Sequence, residues 1–313
     1  MRLIRGLGLH LVDFVKSARS PTASRVRHAR VVAAALILFA VASGRTAAES
    51  PEAPQQVAPA VPATVYVFRA MGGKFITPEM DKLAARIEAQ GFAVSVFNYT
   101  GWIRPAKEAI KRYRGEGAKT PIIAIGHSAG GDSAIRFALW LNKAGVPVDL
   151  VITLDPTRIA NRVPANVERF INIYNSSHAL GGGDPSPAPD FRGSFASIDL
   201  RNYSDIWHLY MPRMAGLQDQ ILNKIIEVAA QPSAAIGPTI PIEYTLPPDE
   251  PFELWDCGVA VVVDEGETPG TVAAQFGVPE WAVVEINQIP ADRPLASGQQ
   301  LVVPRHLDAA STN

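Results

Sequence analysis

The sequence predicts an α/β fold, a doubly wound and mostly parallel sheet, followed by a small α+β module. Three observations predict it. Between residues 64 and 230 short apolar runs alternate with stretches of helical period. At 121–141, PIIAIGHSAGGDSAIRFALWL, one such run breaks at a glycine-rich corner and resumes as a helix. From 261 to 304 the order becomes strand, helix, helix, strand. Strands that alternate with helices pair in parallel through right-handed crossovers.

The chain has 313 residues, of which 47% are hydrophobic. This is room for about two domains of roughly 150 residues, with apolar material for a real core. A net charge of -1 gives no global field to recruit nucleic acid. The visible basic excess lies at the start, in Arg2, Arg5, Lys16, Arg19, Arg25, Arg27 and Arg30, and precedes the apolar run VVAAALILF at 31–39. That run has the length of a signal-peptide core, with small-residue cleavage patterns at Ala40-Val41-Ala42 and Ala42-Ser43-Gly44. Even extended to Gly44 it falls short of the roughly 20 apolar residues that cross a bilayer. Residues 1–48 are therefore read as a signal peptide, with an N-terminal anchor as the alternative. The expected location is the periplasm or cell wall, and the membrane is met only if the segment stays uncleaved. Cys257 is the one cysteine, so no internal disulfide is possible; it reads as a small buried apolar residue.

Residues 49–63 are rich in Pro and Ala without hydrophobic period and read as a linker. Buried strands are expected at TVYVFR (64–69), FAVSVFN (92–98), PIIAI (121–125), VDLVITL (148–154), RFINIY (169–174) and FASIDLR (195–201). Between the first two, Thr77 suits a helix cap, Pro78 its first turn and Gly91 its end. A second helix runs from Ala129 to Ala144 and stops at Gly145. The α/β domain is set at 64–230. After it, 231–258 is Pro-rich and acidic toward its end, read as a second linker or strap that tethers the last module, 259–306, without engaging it in chemistry.

Gly126-His127-Ser128-Ala129-Gly130 fits G-x-S-x-G, in which glycines permit a strained strand-turn-helix elbow. A serine there either caps the following helix or projects its hydroxyl as a nucleophile. With a strand before it, a helix after it and Gly131 beyond, the segment resembles the α/β-hydrolase superfamily over most of residues 64–230. That resemblance implies acyl transfer to Ser128 and a later histidine held by a carboxylate. In the superfamily the histidine follows the last strand, which places His208, in NYSDIWHLYMPRM, ahead of His178 in NSSHALGGGD. For the acid, Asp155 follows VDLVITL directly and Pro156 fixes its turn, while Asp184 and Asp190 occupy the commoner superfamily position. Asp155 is the preferred acid, with Asp184 as the alternative. The family's two oxyanion N–H donors map to Met71, in the loop FRAMGGKF, and Ala129. No dinucleotide or P-loop pattern and no metal-ligand cluster stands out, so no cofactor and no metal are expected.

The C-terminal stretch resembles a LysM module through Gly266-Glu267-Thr268, Val272-Ala273, Phe276-Gly277-Val278, Asn287 and Gly298-Gln299-Gln300-Leu301 through Pro304. Pro269 and Val261 stand where a leucine and an aromatic are usual. The resemblance implies binding of an N-acetylglucosamine-containing glycan such as peptidoglycan, with Gly266, Glu267, Thr268 and Asn287 as candidate contacts. The sequence-based expectation is thus an exported, lipase- or esterase-like serine hydrolase that cleaves an ester or thioester and is held at wall glycan. The rival is a catalytically inactive hydrolase-fold scaffold that binds peptidoglycan.

Overall fold

The computed structural model describes residues 62–115, 119–230, 238–292 and 294–307. The leader at 1–48 and nearly all of the linker at 49–63 lie outside these residues. Among the described residues no helix is long and apolar enough to cross a membrane.

Seven strands form one sheet: β1 (Thr64–Arg69), β2 (Ala93–Asn98), β3 (Ile122–His127), β4 (Leu150–Leu154), β5 (Arg169–Tyr174), β6 (Ser194–Asp199) and β7 (Ile242–Thr245). Their spatial order is β2-β1-β3-β4-β5-β6-β7, and every neighbouring pair is parallel. Four helices cover it: α1 (Pro78–Glu88), α2 (Ile103–Gly115), α3 (Ala129–Asn142) and α4 (Ala215–Ala230). Strand side chains alternate between the two faces. Val65, Ile123, Ile152 and Ile171 meet α1 and α4 through Met80, Leu83, Ile221 and Ile225. Tyr66, Phe68, Val151 and Phe170 meet α2 and α3 through Ala106, Ala109, Phe137 and Leu141. Central strands covered on both faces must be apolar throughout, which is why they read as continuous hydrophobic runs.

Thr77 precedes α1, but its hydroxyl donates back to the Gly73 carbonyl at 3.3 Å instead of capping the helix. The chain reverses its winding between β1 and β3, so the crevice outside the carboxyl ends of these strands is where such a sheet receives a ligand. Ser128 lies there.

Over its described residues, 238–258, the segment set at 231–258 differs from its reading as a linker. Residues 242–245 are the seventh strand, and Leu254, Trp255 and Asp256 beyond it are buried. Its prolines masked a strand only four residues long, too short to show a period. The C-terminal module consists of β8 (Cys257–Val262), α5 (Pro269–Phe276), α6 (Glu280–Asn287) and β9 (Gln300–Arg305), with β8 and β9 antiparallel. Val263, Val272, Ala273, Val283, Leu301 and Val303 give it a small core of its own. It does not hang on a free tether. Gly258 and Ile240 exchange backbone hydrogen bonds of 2.7 and 2.9 Å, Ala282 joins the larger core, and Trp281 packs on Tyr244 and Trp255.

A buried ionic group crosses the same junction. The Lys224 ammonium, 2% exposed, lies 2.7 Å from Glu227 Oε2, 2.8 Å from Asp256 Oδ2 and 3.2 Å from His306 Nδ1. The Leu307 N–H donates to the same Asp256 oxygen at 2.8 Å. Charges removed from water in this way persist only when they are paired, so α4 and the two ends of the module are held in one arrangement.

Candidate active site

Three successive strands end in residues that converge. Ser128 is the first residue past β3, Asp155 the first past β4 and Asn175 the first past β5. Ser128 has φ 56° and ψ -128°, and Asp155 has φ 46°. Neither is glycine, so both backbones sit in a sparsely populated region that costs on the order of 1–3 kcal/mol. The elbow's tightness explains its glycines: a side chain on Gly126 would run into the Gly130 backbone, and one on Gly130 into the carbonyls of Phe68 and Arg69. The same approach brings the loop after β1 against the start of α3.

His208, on the loop after β6, completes the group. Its Nδ1 lies 2.6 Å from Asp155 Oδ2 and its Nε2 2.9 Å from Ser128 Oγ. A carboxylate only accepts, so Nδ1 carries a proton toward Asp155 and Nε2 accepts from the Ser128 hydroxyl. Asp155 is fully buried, and its Oδ1 accepts the N–H groups of Gly182 at 2.7 Å and Asn175 at 3.2 Å. Ser128 is half-buried at the surface of the crevice.

Of the other candidates, Asp184 is bonded elsewhere: its Oδ1 accepts from Ser197 Oγ at 2.6 Å and Asn172 Nδ2 at 3.3 Å, and its Oδ2 from the Tyr174 hydroxyl at 3.3 Å. Asp190 is exposed on the following loop. His178 is half-buried, with its carbonyl accepting from Arg158 at 2.9 Å. Met71, 64% exposed, lies on the loop after β1, and Ala129, half-buried, is the first residue of α3. Beside that loop opens a crevice of about 570 Å³ lined by Arg69, Gly72, Gly73, Lys74, Phe75 and Asn98.

Besides Asn175, two residues of the site were not found in the sequence. His127 is fully buried with its ring centroid 4.8 Å from that of His208. Its Nε2 lies 2.9 Å from the His208 carbonyl, so that nitrogen bears the proton. Burial, and then the proximity of His208, hold its pKa down to about 4, which keeps the ring neutral near pH 7. Asp132, in the first turn of α3, accepts the Thr157 N–H at 3.0 Å and hydroxyl at 2.6 Å, tying the elbow helix to the loop beyond Asp155. The only available signal for His127 was its place in G-x-S-x-G; for Asp132 there was none.

Among the described residues, Glu227, Asp256 and His306 are the one His/Cys/Asp/Glu grouping close enough to hold a metal, and the Lys224 ammonium already lies within 3.2 Å of all three. In the C-terminal module Gly266 takes φ 84° in the turn before α5, and Thr268 caps that helix by accepting from the Thr271 N–H at 3.2 Å. Glu267 accepts the Asp264 N–H at 2.7 Å. The Asn287 side chain braces α6 against β9: Nδ2 donates to the Val283 and Val302 carbonyls at 2.8 and 2.7 Å, and Oδ1 accepts the Val302 N–H at 2.7 Å. Asn287 therefore spends its polar atoms inside the module. A crevice of about 240 Å³ opens on the loop between α6 and β9, lined by Ile289, Pro290, Pro294, Leu295, Ala296 and Gln299.

Residues 261–304 match the LysM domain model. A comparison with curated proteins finds no match. Among solved structures the chain is similar to a protein of the alpha/beta hydrolase superfamily from Xanthomonas campestris pv. campestris. The two are 16% identical over 41% of this chain and 77% of that one, with a TM-score of 0.28. That likeness is remote, and the chemistry of the site rests on its own geometry.

Proposed function

The C-terminal module is a LysM domain, and from this and the geometry of the elbow we propose that the chain is a serine hydrolase that cleaves carboxylic esters or thioesters at a glycan-bearing surface. One observation carries the reading: an unbroken hydrogen-bond chain runs from buried Asp155 through His208 to the hydroxyl of a strained elbow serine. His208 Nε2 takes the Ser128 proton as Oγ attacks the acyl carbonyl, and Asp155 stabilises the imidazolium that forms. The backbone N–H groups of Met71 and Ala129 are the proposed donors to the developing oxyanion, each worth on the order of 10²–10³ in kcat. His208 returns the proton to the leaving oxygen or sulfur, then deprotonates the water that releases the acyl group. No step needs a metal or cofactor.

The surroundings of Ser128 favour an apolar acyl group. Met71 and Phe75 after β1, Ile159 after β4, Leu180 after β5 and Trp207 and Tyr210 after β6 are all exposed, on loops that leave the same edge of the sheet as Ser128. LysM modules bind N-acetylglucosamine polymers, so peptidoglycan is the proposed anchoring partner, with Gly266, Glu267 and Thr268 on the binding loop. Export through the N-terminal segment would bring the enzyme there. The test is a series of p-nitrophenyl acetate, butyrate and octanoate together with a fluorophosphonate probe. Labelling at Ser128 and turnover that rises with acyl length are expected; a folded protein that neither labels nor turns over any ester would favour the inactive scaffold.

A further inference from the structure

Asn175 stands where the acid and the base are brought together, and all its polar groups are engaged. Its N–H donates to Asp155 Oδ1 at 3.2 Å, and its carbonyl accepts the His178 N–H at 3.3 Å. Its side-chain Oδ1 accepts the N–H and hydroxyl of Ser177 at 3.0 and 2.6 Å. Because a backbone N–H can only donate, the atom facing Ser177 must be the amide oxygen, which turns Nδ2 the other way. Nδ2 donates to the Leu200 carbonyl at 3.0 Å and the Ile206 carbonyl at 3.2 Å, with the Tyr203 carbonyl at 3.4 Å. These three carbonyls punctuate the stretch that runs from the end of β6 to His208. The side chain is fully buried.

We propose that Asn175 is a positioning residue that locks the loop carrying His208 to the strand end holding Asp155, which sets the distance between acid and base. The proposal rests on the reading of His208 as the general base and acid. Elsewhere the same loop is held by Asn202 and Tyr203, whose side chains donate to the carbonyls of Leu246 at 3.0 Å and Pro247 at 2.7 Å, but neither of these reaches the strand end that carries Asp155. A side chain at Gly181 would strike the Asp155 carboxylate and His208 Nδ1, so the covering loop approaches as bare backbone. His127 holds only the carbonyl of His208 itself. An amide is the group the position requires, since two donors and an acceptor are needed on one short, uncharged side chain. A carboxylate of the same shape would point an anionic oxygen at three carbonyls.

A misplaced base harms some substrates more than others. An alkyl ester needs a proton from His208 to expel its alcohol, whereas p-nitrophenolate leaves without one. With kcat/KM counted per Ser128 labelled by fluorophosphonate, Asn175→Ala is expected to lose on the order of 10² on ethyl butyrate but only about tenfold on p-nitrophenyl butyrate. Asn175→Asp should be at least as damaging at neutral pH. Ser177→Ala, at an exposed side chain that orients the amide and whose loss the fold should tolerate, should show the same bias at smaller size. Equal losses on the two esters in these variants, or a wild-type Asn175→Asp, would overturn the proposal. Turnover by Ser128→Ala would instead remove the reading beneath it, and that result does not involve Asn175.

Discussion

Ser128 and Asp155 leave adjacent parallel strands in the same manner. Each is the first residue past its strand, each has a positive φ, and the Ser128 N–H donates to the carbonyl of Leu154, the residue before Asp155, at 2.9 Å. The proposed nucleophile and its proposed acid are thus set by two strand ends in register. Two strained backbones side by side are a cost that stability alone would remove.

Removing that strain at the nucleophile should separate stability from activity. Ser128→Gly is expected to raise the unfolding free energy by about 1 kcal/mol, because glycine reaches positive φ freely. The same change should abolish esterase turnover. Ser128→Ala should lose turnover without the stability gain. A thermal melt and a p-nitrophenyl ester assay on both variants decide the matter, and comparable turnover by either folded variant would refute the covalent mechanism.

The two carboxylates proposed for the acid should rank clearly. Asp155→Asn is expected to cost on the order of 10⁴ in kcat, since the amide both loses charge and favours the wrong imidazole tautomer. Asp184→Asn breaks bonds to Ser197, Asn172 and Tyr174, none of which touches His208, and should leave kcat within about tenfold. Steady-state kinetics in which Asp184→Asn is the more damaged would move the acid to the later loop.

His127 should make the fold sensitive to mild acid. Its folded pKa of about 4 lies below the ordinary 6.5, so the folded protein binds fewer protons than the unfolded chain between those values. Stability therefore rises with pH across this window, is fully present above 6.5 and is lost as pH falls toward 4. The full effect is about 3 kcal/mol. His127→Gln keeps a donor for the His208 carbonyl but cannot titrate, and urea midpoints for it should fall less between pH 6.5 and 4. An unchanged pH dependence would show that other groups drive the acid response.

Cutting the chain after Pro247 tests whether the LysM module is separable. The cut removes Leu254, Trp255 and Asp256, all buried, and strips Lys224 of one of its carboxylates, a loss of about 3–5 kcal/mol for a broken buried pair. It also removes the Glu250 carbonyl, which accepts from the Tyr203 hydroxyl on the loop leading to His208 at 3.1 Å. The truncated chain is expected to melt at least 10 °C lower, on the scale of a few degrees per kcal/mol, and to lose small-ester activity. A truncated protein that keeps both its melting temperature and its turnover would restore the simple tether.

The local signals in the sequence determined a good deal by themselves. Continuous apolar runs such as VDLVITL and RFINIY marked strands covered on both faces, and G-x-S-x-G between a strand and a helix marked the elbow, because each requirement is met within a dozen residues. The spacing of glycines and polar residues after Val261 carried the LysM pattern for the same reason. Only the tertiary structure decided which groups meet: Ser128, Asp155 and Asn175 lie at three different strand ends and His208 on the loop after a fourth strand, and their separation in the chain says nothing of the distances between them. Asn175, His127 and Asp132 were illegible because a buried side chain that holds a carbonyl or an N–H leaves no periodic trace. The described part of the connector, 238–258, was misread for the complementary reason: proline-rich composition describes a segment's local preferences, while β7, Trp255 and Asp256 are fixed by the strand edge, the aromatic rings and the ammonium that receive them.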